Sequence, residues 1–282
     1  MRRIQKNYRK YLRYFLVLFL VAGITASCND DDDNGNMQPQ NPTGSITAND
    51  QTISQNTIMV QSVTVGQDSW LVARNAGEED MAGIVSDPVM LSAGTTDSIE
   101  LPLKNSANLT GDANGNDITL MLHVDDQTDG TQGSFDYATA DGIDSMIQDN
   151  SGNPVSETIT VYAPSFDVTD QDVTDNSVTF NSIDVANDSW VVLYNSDANG
   201  DMTDEIVGQA FVAAGSTDPV TVTFDDSFTY TPGQTLYAQI YTDNPADQSF
   251  TYPDDPTTDV PALYGYDSTG TGNYVTTSFV IT

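Results

Sequence analysis

Asp197-Ala198-Asn199-Gly200-Asp201, followed by Asp204, places oxygen-bearing side chains at alternate positions around a glycine. That spacing curls carboxylate and amide oxygens inward, as a hard divalent cation with about six to eight oxygen ligands requires, and calcium is the expected ion. Asp112-Ala113-Asn114-Gly115-Asn116 repeats the pattern, and a further acidic loop runs from Asp125 and Asp126 through Asp129 to Asp136. None of these is an EF-hand. Counted from Asp197, that loop needs a glycine where Met202 stands and a glutamate where Gly208 stands. The competing reading is that Asp-Asn-Gly segments are simply good turns.

A second chemistry is offered by Tyr264-Gly265-Tyr266, an expected loop in a C-terminal half rich in tyrosine. Two tyrosines flanking a glycine suit stacking on a sugar ring, with a glycan or another surface protein as the ligand. Aromatic residues on strands are also ordinary sheet stabilisers, and that is the preferred reading. Catalytic patterns are thin. The single histidine, His123, lies on an expected strand with no Gly-x-Ser-x-Gly elbow, Walker loop or zinc-type His cluster elsewhere in the sequence. With 41 acidic residues, close carboxylate pairs are inevitable and do not single out a glycosidase. The expected role is therefore non-catalytic binding, adhesion or display. A structural envelope spacer adapted to high salt is the alternative, and a glycoside hydrolase the third reading.

The ends of the chain bear on where this happens. Arg2, Arg3, Lys6, Arg9, Lys10 and Arg13 precede an apolar run, Tyr14 to Ser27, that is shorter than the roughly 20 residues a membrane-spanning helix needs. A basic head, a short apolar body and small residues at the end make a signal peptide over 1–27. Ile24-Thr25-Ala26-Ser27-Cys28 then resembles the lipobox of bacterial lipoproteins, which implies a lipid anchor on Cys28, the one cysteine of the chain. The acidic run Asp30 to Asp33 directly after it resembles the surface-export signal of Bacteroidota-type lipoproteins. That resemblance implies the outer face of the outer membrane, with a periplasm-facing spacer as the alternative. Residues 28–45, too polar to bury a core, are expected to be a tether.

Six of the eight basic residues belong to that leader, so residues 28–282 keep two against 41 acids, a formal net charge of −39. This sign excludes nucleic acid as a partner. It also makes the folded state repel itself unless cations screen it, which suits a saline or calcium-containing exterior.

The elements that must position these residues are read from a duplication. Asp50-Gln51, Asn56 to Val60, Val63, Val65 and Asp68-Ser69-Trp70 return 120 residues later as Asp170-Gln171, Asn176 to Phe180, Ile183, Val185 and Asp188-Ser189-Trp190. Both tryptophans are thus one repeated position. Within each copy the apolar residues alternate with period two, as at Ile58 and Val60 or at Ile99, Leu101 and Leu103, which indicates half-buried strands. The phase slips at Gln61-Ser62 and Asn181-Ser182, where a β-bulge is expected. Trp70 to Ala73 and Trp190 to Leu193 are apolar on both faces and should be central strands, with the tryptophan packed between the sheets. About seven short strands per copy indicate two tandem immunoglobulin-like β-sandwiches, at 46–163 and 164–282.

Ser69-Trp70-Leu71-Val72, Ala93-Gly94-Thr95-Thr96 and Leu122-His123-Val124-Asp125 before an acidic loop resemble a domain family of unknown function that is frequent in secreted proteins of salt-loving archaea. The resemblance covers both copies and implies an extracellular β-sandwich in a saline setting. It implies no activity.

Overall fold

The structure is a computed structural model that describes residues 43–282, apart from 79–82, 108, 111–113, 127–132, 137–143, 217 and 256. The leader, Cys28, Asp112 and Asp129 lie outside the described residues. The first copy contains β1 (Gly44–Thr47), β2 (Gln51–Thr52), β3 (Thr57–Val65), β4 (Ser69–Asn75), β5 (Val89–Leu91), β6 (Gly94–Pro102), β7 (Asn116–Val124) and β8 (Ser156–Tyr162). The second contains β9 (Ser165–Asp167), β10 (Ser177–Phe180), β11 (Ser182–Asp184), β12 (Ser189–Ser196), β13 (Met202–Val212), β14 (Val220–Thr223) and β15 (Gln234–Thr242). It ends with β16 (Val260–Pro261), β17 (Leu263–Tyr266), β18 (Gly272–Tyr274) and β19 (Thr276–Ile281). The chain is all-β, two β-sandwiches in tandem.

In the first sandwich β1-β3-β6 faces the five-stranded sheet β2-β8-β7-β4-β5. The second sandwich repeats this plan, with β9-β11 and β10-β14 facing β13-β12-β15 and with β19 beside β15. Each sandwich has its own apolar core. Ile58, Val60, Leu71, Leu101, Leu120 and Ile159 belong to the first, and Val178, Phe180, Val191, Val222, Leu236 and Phe279 to the second.

The repeated motifs turn out to be joints of this scaffold. Asp50 accepts the Thr160 amide at 2.8 Å, and Asp170 accepts that of Val280 at 2.7 Å, tying the entry segment to the last strand. Gln51 clasps both backbone groups of Met59, and Gln171 does the same to Thr179. Asp68 and Asp188 accept the amides of Ala93 and Ala214. A residue repeated in both copies is here a backbone acceptor or donor that the local chain would otherwise leave unpaired.

Two expectations about the strands are corrected. Across the expected bulge of the first copy the pairing stays in register, Val60 with Ile99 and Ser62 with Asp97. The irregularity is matched on the facing strand by Ser98, whose φ is 55°. In the second copy the strand breaks at Asn181 and changes partner, β10 pairing with β14 and β11 with β9. The tryptophans do not sit between the sheets either. Along β4, Leu71 and Ala73 enter the inter-sheet core, so alternation sends Trp70, Val72 and Arg74 to the outer face. Trp190 packs on the corresponding outer cluster of Val192, Tyr194 and Tyr241.

Candidate functional site

On that outer face lie described residues that follow the strand, Asp125, Asp126, 133–136 and Asp144 in the first copy and 243–255 and 257–259 in the second, and two buried aspartates hold each set. Asp125 accepts the Trp70 indole N–H at 3.3 Å and the Gly133 amide, and Asp243 accepts the Trp190 indole at 3.3 Å and the Gln248 amide. Asp144 accepts the amides of Asp126 and Asp136, and Asp259 those of Asn244 and Thr251 together with the Thr251 hydroxyl. Asp144 and Asp259 are each 1 % exposed. Each loop lowers one phenylalanine onto its tryptophan, Phe135 at 5.9 Å and Phe250 at 5.6 Å between ring centres.

These matches escape a fixed-offset comparison. The offset is 120 at the tryptophans, 118 at Asp125 and Asp243, 115 at Phe135 and Phe250, and 120 again at Val155 and Val275. The signal that could find them is the recurrence of Asp and Phe in one order after strands already aligned.

The copies differ beneath the loops. In the second, Tyr194 and Tyr241 meet hydroxyl to hydroxyl at 2.5 Å, and Phe250 stands edge-on to Tyr241 at 5.5 Å. Burial pushes Tyr194 up to about 12 and Tyr241 upward as well. In the first, Arg74 and His123 occupy those places, both buried, with Phe135 edge-on to the imidazole at 5.4 Å. His123 Nδ1 lies 2.8 Å from the Asp144 carbonyl, which can only accept, so Nδ1 carries the proton.

Burial holds the His123 pKa down to about 4, with the positive charge of Arg74 acting the same way against the Asp144 hydrogen bond. An unfolded histidine takes a proton near its ordinary 6.5, so between that pH and about 4 the unfolded chain binds more protons than the folded one. The stability from neutral His123 is complete above pH 6.5 and is lost as the pH falls toward 4. At about 1.4 kcal/mol per pH unit it amounts to about 3 kcal/mol. His123→Phe should therefore flatten the pH 6.5–4.5 limb of the unfolding free energy relative to the parent. Parallel limbs in urea titrations would contradict this.

The expected metal ligands do not converge. Asp197 Oδ1 accepts the amides of Asn199 and Asp201 at 2.8 and 3.0 Å, and the Asn199 side chain binds Oδ2. Its carboxyl is held below the usual range by these bonds. The same arrangement, an aspartate accepting the second and fourth following amides with a positive-φ glycine third, recurs at Asp149 and Asp267. The Asp197 loop is thus a capped hairpin turn between β12 and β13. Asp204 is exposed on β13. Asn116 accepts the Thr110 amide and faces the Tyr264 hydroxyl, and Asp125 is committed to Trp70 and Gly133. Asn114 is exposed. Among the described residues no three His, Cys, Asp or Glu side chains gather as a metal site. At these described positions the oxygens accept local amides. What remains open to solvent nearby is a groove of about 610 Å³ beside Gly66, Asp68, Ala93, Asp125 and Asp126.

The structure places Tyr264 and Tyr266 in the scaffold. Tyr264 is buried in the core of the first sandwich, its hydroxyl 3.0 Å from Asn116 Oδ1 and 3.1 Å from the Val161 carbonyl. Tyr266 donates its hydroxyl to the Leu103 carbonyl at 2.6 Å. Neither ring is presented to a sugar, because the hairpin that carries them folds against the other copy.

In comparisons with known proteins, a family model described as Domain of unknown function (DUF7282) matches residues 44–162 and again 164–280. No curated protein matches the sequence. Among solved structures, CBD12 from CALX1.2 is similar at 8% identity, covering 85% of this chain and 99% of its own, with a TM-score of 0.22. The calcium binding domain CBD12 of CALX1.1 is similar at 9% identity, covering 85% and 100%, with a TM-score of 0.23.

Proposed function

The chain belongs to the DUF7282 family in two tandem copies, and on that premise we propose that it is a non-catalytic display or binding module, lipid-anchored through Cys28 outside the cytoplasm. The observation that carries this reading is that the side chains repeated in both copies are consumed in scaffold hydrogen bonds. Asp50, Gln51, Asp68, Asp125 and Asp144, like their counterparts, hold backbone. What the module offers outward is a dense acidic surface on fastened sandwiches, which suits presentation at an envelope rather than turnover. The outer membrane, with its surface face outward, is the setting this reading assigns.

Expression of the full chain and of Cys28→Ser in a bacterium with lipoprotein export tests the anchor and the face together. The parent should sediment with membranes and be cut by protease added to intact cells, whereas Cys28→Ser should be released. A parent chain found in the soluble fraction would sink the proposal.

The charge makes a separate prediction. Lys104 and Asp87 form an ion pair at 3.1 Å, and with two basic residues against 41 acids in residues 28–282 most of the negative charge is left to solvent ions. Raising sodium chloride from about 0.01 to 1 M shortens the screening length from about 30 to 3 Å. Relief of a few kcal/mol of self-repulsion should raise the unfolding midpoint by about 10 °C, at about 2–4 °C per kcal/mol for a chain this size. Calcium chloride at matched ionic strength should add little. A sharp further rise, abolished by EDTA, would instead show specific calcium sites.

A further inference from the structure

Between Ala262 and Val275 the second copy carries twelve residues where the first, between Ile147 and Val155, carries seven. The flanks are equivalent. Ile147 and Ala262 donate to Leu122 and Ile240, and Val155 and Val275 donate to Ile147 and Ala262. The five extra residues lengthen this hairpin into β17 and β18, and β17 packs into the first copy.

There its contacts are those of a fitted part. Tyr264 is 5 % exposed and belongs to the buried cluster of the first sandwich. The Gly265 amide donates to Asn56 Oδ1 at 2.7 Å, and Asn56 Nδ2 donates back to the Gly265 carbonyl at 3.3 Å. Asn56 is 3 % exposed, whereas its counterpart Asn176 lies open to solvent and donates to Phe224 of its own copy instead.

The socket is also open in one copy and closed in the other. After Leu103 the first copy places Ala107 and Leu109; at the same spacing after Phe224 the second places Phe228 and Tyr230. The turns match, Ala107 donating to Lys104 and Phe228 to Asp225. Phe228 and Tyr230 pack on Phe224 at 5.2 and 6.1 Å and close the end of their own core. In the first copy the smaller pair leaves that volume for Tyr264.

We propose that residues 263–274 are a plug donated by the second sandwich to complete the core of the first, so that the first is stable only when the second is present and the second closes the array. The partner surface is the end of the first sandwich formed by Asn56, Leu103, Leu109, Asn116 and Val161, and its occupant is this hairpin. Because the plug follows β16 of the second sandwich, the first sandwich cannot complete its core until most of the second is available.

Hydrogen-exchange mass spectrometry on residues 43–282 tests this, comparing the parent with Tyr264→Ala. Removing a buried ring of this size should speed exchange in β3, β6 and β7 by at least about a hundredfold, while β10, β12 and β15 stay within a few-fold of the parent. Equal loss in both copies would make the hairpin merely part of the second sandwich and overturn the proposal. So would no loss in either. Should Tyr264→Ala fail to fold, Tyr266→Phe, which removes only the hydroxyl held by the Leu103 carbonyl, must show the same asymmetry at smaller amplitude, and a symmetric change there would refute the plug.

Discussion

Replacing Asp259 by alanine is expected to lower the unfolding free energy by about 3–5 kcal/mol, one of the two largest effects of any single substitution outside the apolar cores. Its oxygens accept three donors, the Asn244 amide at 3.3 Å and the Thr251 amide and hydroxyl at 2.6 and 2.8 Å. Alanine leaves all three without their acceptor in a site that is 1 % exposed. Each orphaned buried donor costs about 1–3 kcal/mol, and relaxation of the loop toward water returns part of the sum. That relaxation lifts Phe250 from Trp190, so tryptophan fluorescence should shift before the global transition. Asp259→Asn keeps one acceptor oxygen and should cost about half as much. The duplication supplies a second instance, since Asp144→Ala removes the acceptor of Asp126 and Asp136. Urea midpoints within about 1 kcal/mol of the parent at both positions would show that the loops do not depend on their aspartates.

Gly265→Ala is the second, expected to cost about 3 kcal/mol or more. Two separate terms act there. The residue has φ +74°, a left-handed conformation that costs an L side chain roughly 1–2 kcal/mol. A Cβ built on it would stand 2.6 Å from the Leu109 carbonyl oxygen, so backbone of the other copy must move, and with it the paired bonds to Asn56. Gly200→Ala separates the terms. Gly200 has φ +87° but open space where its Cβ would go, and alanine there should cost only about 1 kcal/mol. Equal costs at the two glycines would mean that the approach of the hairpin to Leu109 is not tight.

Much of the scaffold is legible without coordinates. Strand position follows from alternation of the Ile58–Val60 and Ile99–Leu103 kind, and the central place of β4 and β12 follows from their two apolar faces. Each is set by neighbours a few residues apart. The Asp149, Asp197 and Asp267 turns are legible for the same reason, although Asp-x-Asn-Gly also spells a cation loop. The sequence does not say which of the two Asp197 serves, since its oxygens accept its own amides two and four residues on in either case.

The candidate site was far less legible. That Asp125 and Asp144 are buried depends on a loop closing over Trp70, 55 residues before Asp125, and a chain with 41 acids gives no reason to single out two. A strand apolar on both sides does not say which side meets the opposite sheet, so the sequence alone does not put Trp70 on the outer face. Tyr264 and Tyr266 read equally as sheet stabilisers and as a ligand platform, because their hydroxyl partners lie in the other copy, at Asn116, Val161 and Leu103.

By itself, then, the sequence determined that this protein is a duplicated, strongly acidic all-β chain, and where its strands and turns run, because period-two burial and capped turns are local and repeat with the duplication. Only the tertiary structure decided which polar groups are buried and that one copy completes the other. The bonds between Asn56 and Gly265 join residues 209 apart, and such pairs form only after both sheets have closed, when burial makes an unpaired amide or hydroxyl costly.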